Sequence, residues 1–435
     1  MIRRLLILVG LTFSLVQALY SQAPNRDADA ELRFVVYLSR HGVRSPTGKS
    51  SQYNVYSAAS WPAWSVPPGN LTPHGYRLME IFGAYDRIAL AKEGLLHATG
   101  CQDAARVTFY ADSDQRTRET GKALAAGMFP GCGVPVQSLG EGTNDPLFHP
   151  VPARLTAIDA NLATAAIAGR IGNSPQSLTD AHRTQLAKLD QLLATCGSPT
   201  PTKTNRISLF EVKSTLTPGT EDHLAELRGP LNIASTLTEN LLLEYTEGMD
   251  TSNVGWGCVD GPTLRSLIDL HTAASDFTQR TSVIARIQAS SLLDHIRRSL
   301  EQAVTQQPLP ETLDKPAGRA LFLIGHDTNL SNIAGMLNMT WIVDGRRDDT
   351  PPGGSLIIEL WKRRKTEKYS VHLYYTTQTL EQMRSTEVLS LDNPPQRVPV
   401  FLPGCSGRDF SCTLPAFSNT VRQAIDPHYV RLKTR

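Results

Sequence analysis

Residues 34–47 read FVVYLSRHGVRSPT, and the reading of this stretch decides the fold. Its apolar, partly β-branched start lacks polar alternation, which fits a strand buried on both faces. The strand then delivers Arg40, His41 and Arg44 within five positions. Cations are costly where a chain leaves its core unless solvent or an anion receives them. Two distant runs repeat the pattern: VTFYA (107–111) leads into Asp112-Ser113-Asp114-Gln115-Arg116-Thr117-Arg118, and ALFLIG (320–325) into His326-Asp327-Thr328-Asn329. SLIIELW (355–361) and YSVHLYY (369–375) are two more strand-like runs, and 71–94 has a helical pattern between the first two strands. This order predicts an α/β domain whose mostly parallel sheet is flanked by helices. Ligands gather at the carboxyl ends of strands in such sheets, so the three charged strand ends are expected to meet.

From 151 to 275 the strand signal fades and helical periodicity takes over, as in 179–194 and 235–249. The expected organisation is an α/β catalytic domain from 30–150 and 276–435, with a smaller all-α domain inserted at 151–275. A long amphipathic helix over 280–304 leads back to the 320–325 strand, and 197–203 reads as an exposed loop.

Arg3 and Arg4 precede the apolar stretch LLILVGLTFSLV (5–16). That pattern predicts a signal peptide over 1–18, with cleavage as late as 23. Twelve apolar-rich residues are too few to span a bilayer. Removing 1–18 takes away two arginines and no acid, leaving 41 basic against 41 acidic residues. A balanced charge argues against nucleic acid as a partner, so any anion site must be local. The mature chain is expected to be a monomer, periplasmic or secreted, with no membrane association.

Six cysteines in an exported chain favour disulfides. Cys405 and Cys412 bracket a short polar loop, and Cys101 and Cys132 flank a strand and a helix. Cys196 and Cys258 remain to pair by elimination, and the residues alone leave that third bridge open. No C-x-x-C or H-x-x-x-H spacing indicates a zinc site.

Arginine forks match phosphate oxygens, so Arg40, Arg44 and Arg116 suit the non-bridging oxygens of one phosphate. His41, its pKa depressed by neighbouring cations, is the candidate nucleophile. His326 is a further donor to the phosphate, and Asp327 a proton donor to the leaving alkoxide, which favours low pH. With arginines neutralising charge, no metal or other cofactor is required. His74, His149 and His271 read as structural or surface histidines. Asp112 and Asp114 read as helix caps in preference to groups orienting the arginines, and Arg118 as the partner of an acidic neighbour.

RHGVRSPT together with GHDTNL closely resembles the histidine acid phosphatases, above all the bacterial periplasmic acid phosphatases and phytases. ADSDQRTRETG (111–121), LTPHG (71–75), GWG (255–257), DDTPPGG (348–354) and QTLEQMR (378–384) extend the resemblance over nearly all of the mature chain. It implies an α/β domain plus a helical domain, and disulfides like those at 101/132 and 405/412. It also implies that His41 becomes a phosphohistidine, that Arg40, Arg44, Arg116 and His326 bind phosphate, and that Asp327 donates the proton. Thr47 stands where the family commonly has Thr or Ser near the phosphate, and Glu239 matches a substrate-facing position.

Two departures bear on the substrate. Gly48 stands where phytate-preferring relatives often have lysine, and Gln288 where they can have arginine, although Lys49 and Arg286 lie close by in sequence. Phytate is the first expectation for the substrate. A glucose-1-phosphatase or a broad acid phosphatase is the alternative, and the non-enzyme alternative is a phosphate-ligand binding protein on an inactive scaffold. The cofactor-dependent phosphoglycerate mutases share the RHG nucleophile but lack the export signal and the second-site His-Asp.

Overall fold

Strand β1 (Ala30–Arg40) is the middle of the main sheet. Phe34, Val36 and Leu38 enter one hydrophobic cluster, while Val35 and Tyr37 enter another on the opposite face. Successive side chains point to opposite faces, so a strand covered on both sides must be apolar at every position. The computed structural model describes residues 29–153, 158–197, 206–220 and 223–430. The expected signal peptide lies outside them, as does most of the 197–203 loop.

The strands that follow are β2 (Val107–Ala111), β3 (Val136–Gln137), the hairpin β4 (Thr215–Pro218) and β5 (Ala225–Arg228), and β6 (Ala320–Gly325). A two-residue ribbon, β7 (Ile342–Val343) with β8 (Arg346–Arg347), precedes β9 (Ser355–Arg363), β10 (Tyr369–Thr377), β11 (Gln396–Pro399) and β12 (Ser411–Thr413). The main sheet has eight strands in the order β11-β10-β9-β1-β6-β2-β3, with β12 paired to β10. Pairs β1/β6, β6/β2 and β2/β3 are parallel, as expected. Pairs β1/β9, β9/β10, β10/β11 and β10/β12 are antiparallel. The sheet is therefore mixed rather than mostly parallel. Only residues 364–368 separate β9 from β10, whereas a parallel crossover needs about a dozen residues or more. A buried apolar run carries no mark of its direction.

The helical part contains Ala160–Arg170, Gln176–Ala181, Arg183–Thr195, Pro230–Thr246 and Gly261–Thr278. It has its own hydrophobic cluster, which also takes in Trp61, Leu78, Leu380 and Met383. The 151–275 stretch, expected to be all-α, also carries the β4–β5 hairpin. Its four-residue strands are too short and polar to announce themselves in sequence. Helix Ser282–Thr305 matches the expected long amphipathic helix within two residues at either end.

The LTPHG motif has a local explanation. Thr72 caps helix Pro73–Lys92, its hydroxyl accepting the Gly75 N–H at 2.8 Å. A Cβ at Gly75 would overlap the Val43 carbonyl, so glycine lets the loop after β1 lie on the first turn of this helix. The bridges Cys101–Cys132, Cys196–Cys258 and Cys405–Cys412 are all present, which closes the pairing left open above. No described helix is long and apolar enough to cross a membrane.

Two carboxyls, one buried and one half-buried, hold the helical part internally and tie it to Thr72 at the start of helix Pro73–Lys92. Glu244, 1% exposed, accepts the Gly255 N–H at 3.0 Å, and Glu247 accepts the Thr72 hydroxyl at 2.6 Å. Burial pushes Glu244 up to about 8 and Glu247 up to about 7. Unfolded, both ionise near about pH 4.3. Because the folded pKa is raised, the stability they contribute is complete below the unfolded pKa and is lost as pH rises to about 8. The expected outcome is a melting temperature at least about 5 °C higher at pH ~4.5 than at pH ~8. Scanning calorimetry checks this, and Glu244→Gln should flatten the slope.

Candidate active site

The order β1-β6-β2 brings the three charged strand ends side by side. Arg40 pairs in register with Gly325, and Ala111 with Ile324, so the chain leaves all three strands at one level. The loop of the DDTPPGG motif closes over them. The Gly353 N–H donates to the His41 carbonyl at 2.9 Å, and the Arg40 N–H to the Gly354 carbonyl at 2.9 Å.

His41 is 1% exposed. Its Nδ1 lies 2.8 Å from the Gly42 carbonyl oxygen. A carbonyl only accepts, so Nδ1 carries the ring hydrogen and Nε2 keeps its lone pair. That nitrogen faces Arg44, whose Nε is 3.4 Å away. Burial, then Arg116, Arg40, Arg44 and His326, hold His41 well below the ordinary histidine range. The imidazole is neutral, and its unprotonated Nε2 stands among cations, accepting a long hydrogen bond from Arg44 Nε.

Arg40 is fully buried. Its Nη1 donates to the Thr350 carbonyl at 2.6 Å, and its Nη2 pairs with Glu239, with Asp327 Oδ2 at 3.7 Å. Burial opposes the charge, but Glu239 and Asp327 outweigh it and raise the pKa. Arg44 donates to the Ser45 carbonyl at 2.9 Å and lies 3.8 Å from Glu239. Burial lowers it to about 10, with Glu239 opposing and Arg40 and Arg116 adding. Arg116 Nη2 is 2.5 Å from Asp114 Oδ2 and 3.4 Å from His326 Nδ1.

His326 precedes helix Asp327–Leu337, and its Nε2 lies 2.7 Å from Asp112 Oδ2. Burial, helped by Arg116 and His149, lowers its pKa against the pull of Asp112. Asp327 is the first residue of the helix, where the N-terminal dipole favours an anion. Its Oδ2 is 3.7 Å from both Arg40 Nη2 and His271 Nε2. Burial raises Asp327, but Arg40 and His271 outweigh it and hold the carboxyl well below the ordinary range. The expected proton donor is thus a carboxylate in this arrangement.

The proton is held next door. His271, expected to be structural or at the surface, sits on helix Gly261–Thr278 with Nδ1 3.1 Å from Ser235 Oγ and Nε2 3.9 Å from Glu239. Burial lowers its pKa, yet Asp327 and Glu239 carry it above the ordinary value. Burial raises Glu239, and Arg40, His271 and Arg44 outweigh that to leave it ionised. Sequence reasoning missed His271 because its partner Asp327 is 56 positions away, and only the packing of two helices against the strand ends reveals the pair.

Other expectations are corrected here. Asp112 and Asp114 do not cap with their side chains. Asp114 occupies the N-cap position of helix Gln115–Met128 but makes no side-chain cap bond, pairing instead with Arg116. Asp112 holds His326 and His149, the latter at 3.0 Å. Charge-assisted partners are stronger than a neutral N–H, which is why both carboxylates turn inward. His149, also expected to be structural or at the surface, reaches this cluster. His74 does play a structural part, with Nε2 3.0 Å from the Met383 carbonyl, and Arg118 pairs with Glu141.

Thr47 is exposed at the rim. A Cβ on Gly69 would stand 3.6 Å from Arg116 Nη1 and 3.8 Å from Thr47 Cγ2, so both residues flank that glycine. A Cβ at Gly48 would collide with the Tyr53 hydroxyl, so Tyr53 occupies the space a longer side chain would use. A cavity of about 790 Å³ adjoins the site, lined by Asp114, His149, Gln288, Thr328, Asn332 and the β4–β5 hairpin. Arg286 is exposed and does not line it.

Residues 31–376 match the family model of the histidine phosphatase superfamily (branch 2). Phytase AppA of Escherichia coli is 36% identical over 425 residues, covering 95% of this chain and 97% of the relative. A glucose-1-phosphatase of Salmonella typhimurium is 28% identical over 408 residues, covering 93% and 95%. Among solved structures, Hafnia alvei phytase in complex with tartrate aligns with a TM-score of 0.86 at 34% identity, over 93% of this chain and 100% of the other. The Citrobacter braakii phytase aligns with a TM-score of 0.83 at 35% identity, over 92% and 99%. With the family model covering most of its length and these relatives matching nearly end to end, the chain belongs to the histidine phosphatase superfamily, branch 2, and is a phosphoric monoester hydrolase.

Proposed function

We propose that this chain is an exported, metal-independent histidine acid phosphatase that works through a phosphohistidine at His41, with phytate as its preferred substrate. One observation carries the reading: His41 Nε2 is unprotonated, its ring hydrogen fixed on Gly42 through Nδ1 and its lone pair held only by a long 3.4 Å hydrogen bond from Arg44 Nε, which an incoming phosphate can replace. A phosphate seated on Arg40, Arg44, Arg116 and His326, with Thr47 at the rim, puts phosphorus in line with Nε2. The Nε2–P bond forms as the P–O ester bond breaks, and the leaving oxygen takes a proton from Asp327. Asp327 obtains that proton from His271, because an anion beside Arg40 relieves the attraction that keeps the carboxyl ionised. Water then attacks the phosphohistidine and gives its proton back through Asp327, releasing phosphate and free His41.

In this reading the α/β part (30–150 and 276–435) supplies the nucleophile and the phosphate cradle. The inserted part (151–275) supplies Glu239, which spaces Arg40 from Arg44, and His271. Three disulfides support a periplasmic or secreted location.

Phytate as substrate is supported by the 36% identity to a phytase and by the adjoining cavity. A second reading, a sugar-phosphate phosphatase, is favoured by Tyr53 packed over Gly48 and by the uncharged Gln288 in the cavity wall. The test is phosphate release from phytate, glucose 1-phosphate and p-nitrophenyl phosphate from acid to neutral pH. The highest kcat/KM should fall on phytate at acid pH. Dominance of glucose 1-phosphate would establish the second reading, and no release from any of the three would leave an anion-binding scaffold. Gln288→Arg is expected to lower KM for phytate about three- to tenfold through one added ion pair, with p-nitrophenyl phosphate unchanged.

A further inference from the structure

Next to the phosphate site, four donor atoms from three separate segments converge. Asp112 Oδ2, His149 Nε2 and His326 Nε2 form a near-equilateral triangle with edges of 2.7, 3.0 and 3.2 Å. Asp114 Oδ2 lies 3.7 Å from His326 Nε2, and all four atoms fall within 4.8 Å of one another. An ion bound tetrahedrally at ~2.0–2.1 Å holds such donors about 3.3–3.4 Å apart, so the triangle needs to open by about half an ångström. Two imidazoles and two carboxylates suit zinc and its neighbours, whereas calcium and magnesium take six or more oxygens.

Asp112 is 0% exposed, and its Oδ1 has no hydrogen-bond partner among the described residues. The oxygen that faces the cluster is Oδ2, which takes both imidazoles, and a cation there would neutralise a carboxylate whose charge is buried and only partly met. Asp112 and Asp114 bring two negative charges to the cluster, against the Arg116 guanidinium that pairs with Asp114. Access is open, because the His149 side chain is 31% exposed and lines the adjoining cavity with Asp114. Asp112 and Asp114 share one segment, but His149 and His326 lie too far from them in sequence for a spacing motif to register.

We propose that Asp112, Asp114, His149 and His326 bind one zinc-type divalent cation in a closed four-ligand site, and that its occupancy stops hydrolysis by taking His326 away from phosphate. Each imidazole must offer the ion a bare Nε2: a cationic ring releases that proton to solvent, and a neutral ring carries its hydrogen on Nδ1 instead, so His326 Nδ1 gives up its 3.4 Å contact with Arg116 Nη2. Only the inhibitory consequence rests on the phosphatase reading; the binding does not.

The test titrates the chelator-treated mature chain with Co²⁺, read by the visible bands of tetrahedral cobalt, and measures Zn²⁺ inhibition of p-nitrophenyl phosphate hydrolysis. One Co²⁺ per chain is expected, displaced by Zn²⁺ and weakened by inorganic phosphate. His149→Asn should weaken Co²⁺ binding at least about tenfold, read without reference to turnover. Asp114→Asn, at a side chain that is 40% exposed, carries the same comparison should the first variant fail to fold. Equal Co²⁺ affinity in wild type and variant would overturn the site, and tighter binding with phosphate would overturn the closed geometry. Cobalt bound as described in a protein that hydrolyses nothing would uphold the site and refute the phosphatase mechanism instead.

Discussion

His41→Ala is expected to lower turnover of every phosphomonoester by at least about 10⁴-fold, equivalent to ~5.5 kcal/mol of barrier. The effect should be in kcat and the same for phytate, glucose 1-phosphate and p-nitrophenyl phosphate, because all pass through the same Nε2–P bond. The fold should survive. The substitution removes two hydrogen bonds, one to Gly42 and a long one from Arg44, each worth about 1 kcal/mol, and leaves both large hydrophobic clusters of the sheet untouched. The check is steady-state kinetics with a thermal melt on the same preparation. Activity within about tenfold of wild type, in a folded variant, would mean that another group attacks phosphorus.

Asp327→Asn should separate substrates by their leaving groups. An inositol or sugar alkoxide needs a proton as it departs, so loss of the acid costs about 10²–10⁴-fold on phytate. The p-nitrophenolate ion leaves unprotonated, and its hydrolysis should fall by less than about tenfold. His271→Asn should follow the same ordering with smaller losses, since it supplies the proton through Asp327, 3.7 Å away. It should also move the alkaline limb of the kcat profile, where activity falls as His271 loses its proton, and a purely structural role would leave that limb in place. Equal losses on both substrates would recast Asp327 as a residue that only positions Arg40.

The strands that frame the site were legible because burial on both faces leaves an unbroken apolar run. β2 and β6 coincide with VTFYA and ALFLIG residue for residue. Strand direction was not legible, since Ser355–Arg363 and Tyr369–Thr377 also carry apolar runs that say nothing of direction, and their short connection is what makes them antiparallel. Arg40, His41, Arg116, His326 and Asp327 announced themselves as charges at strand ends. His271 and His149 did not. Each lies in a segment whose local pattern is ordinary, one on a helix and one in a loop, and each gains meaning only from carboxylates brought to it by the tertiary fold. The protonation of Asp327 was likewise out of reach, because it depends on Arg40 and His271 standing at equal distance from one oxygen.

The most direct test of the central claim is to trap the covalent intermediate. Mature protein mixed with ³²P-labelled p-nitrophenyl phosphate is quenched within milliseconds into alkali, digested and mapped. The expected result is an alkali-stable, acid-labile label, approaching one per active site, on Nε2 of His41 and absent from His41→Ala. Label on a different residue, or a burst of p-nitrophenol with none retained on the protein, would contradict it.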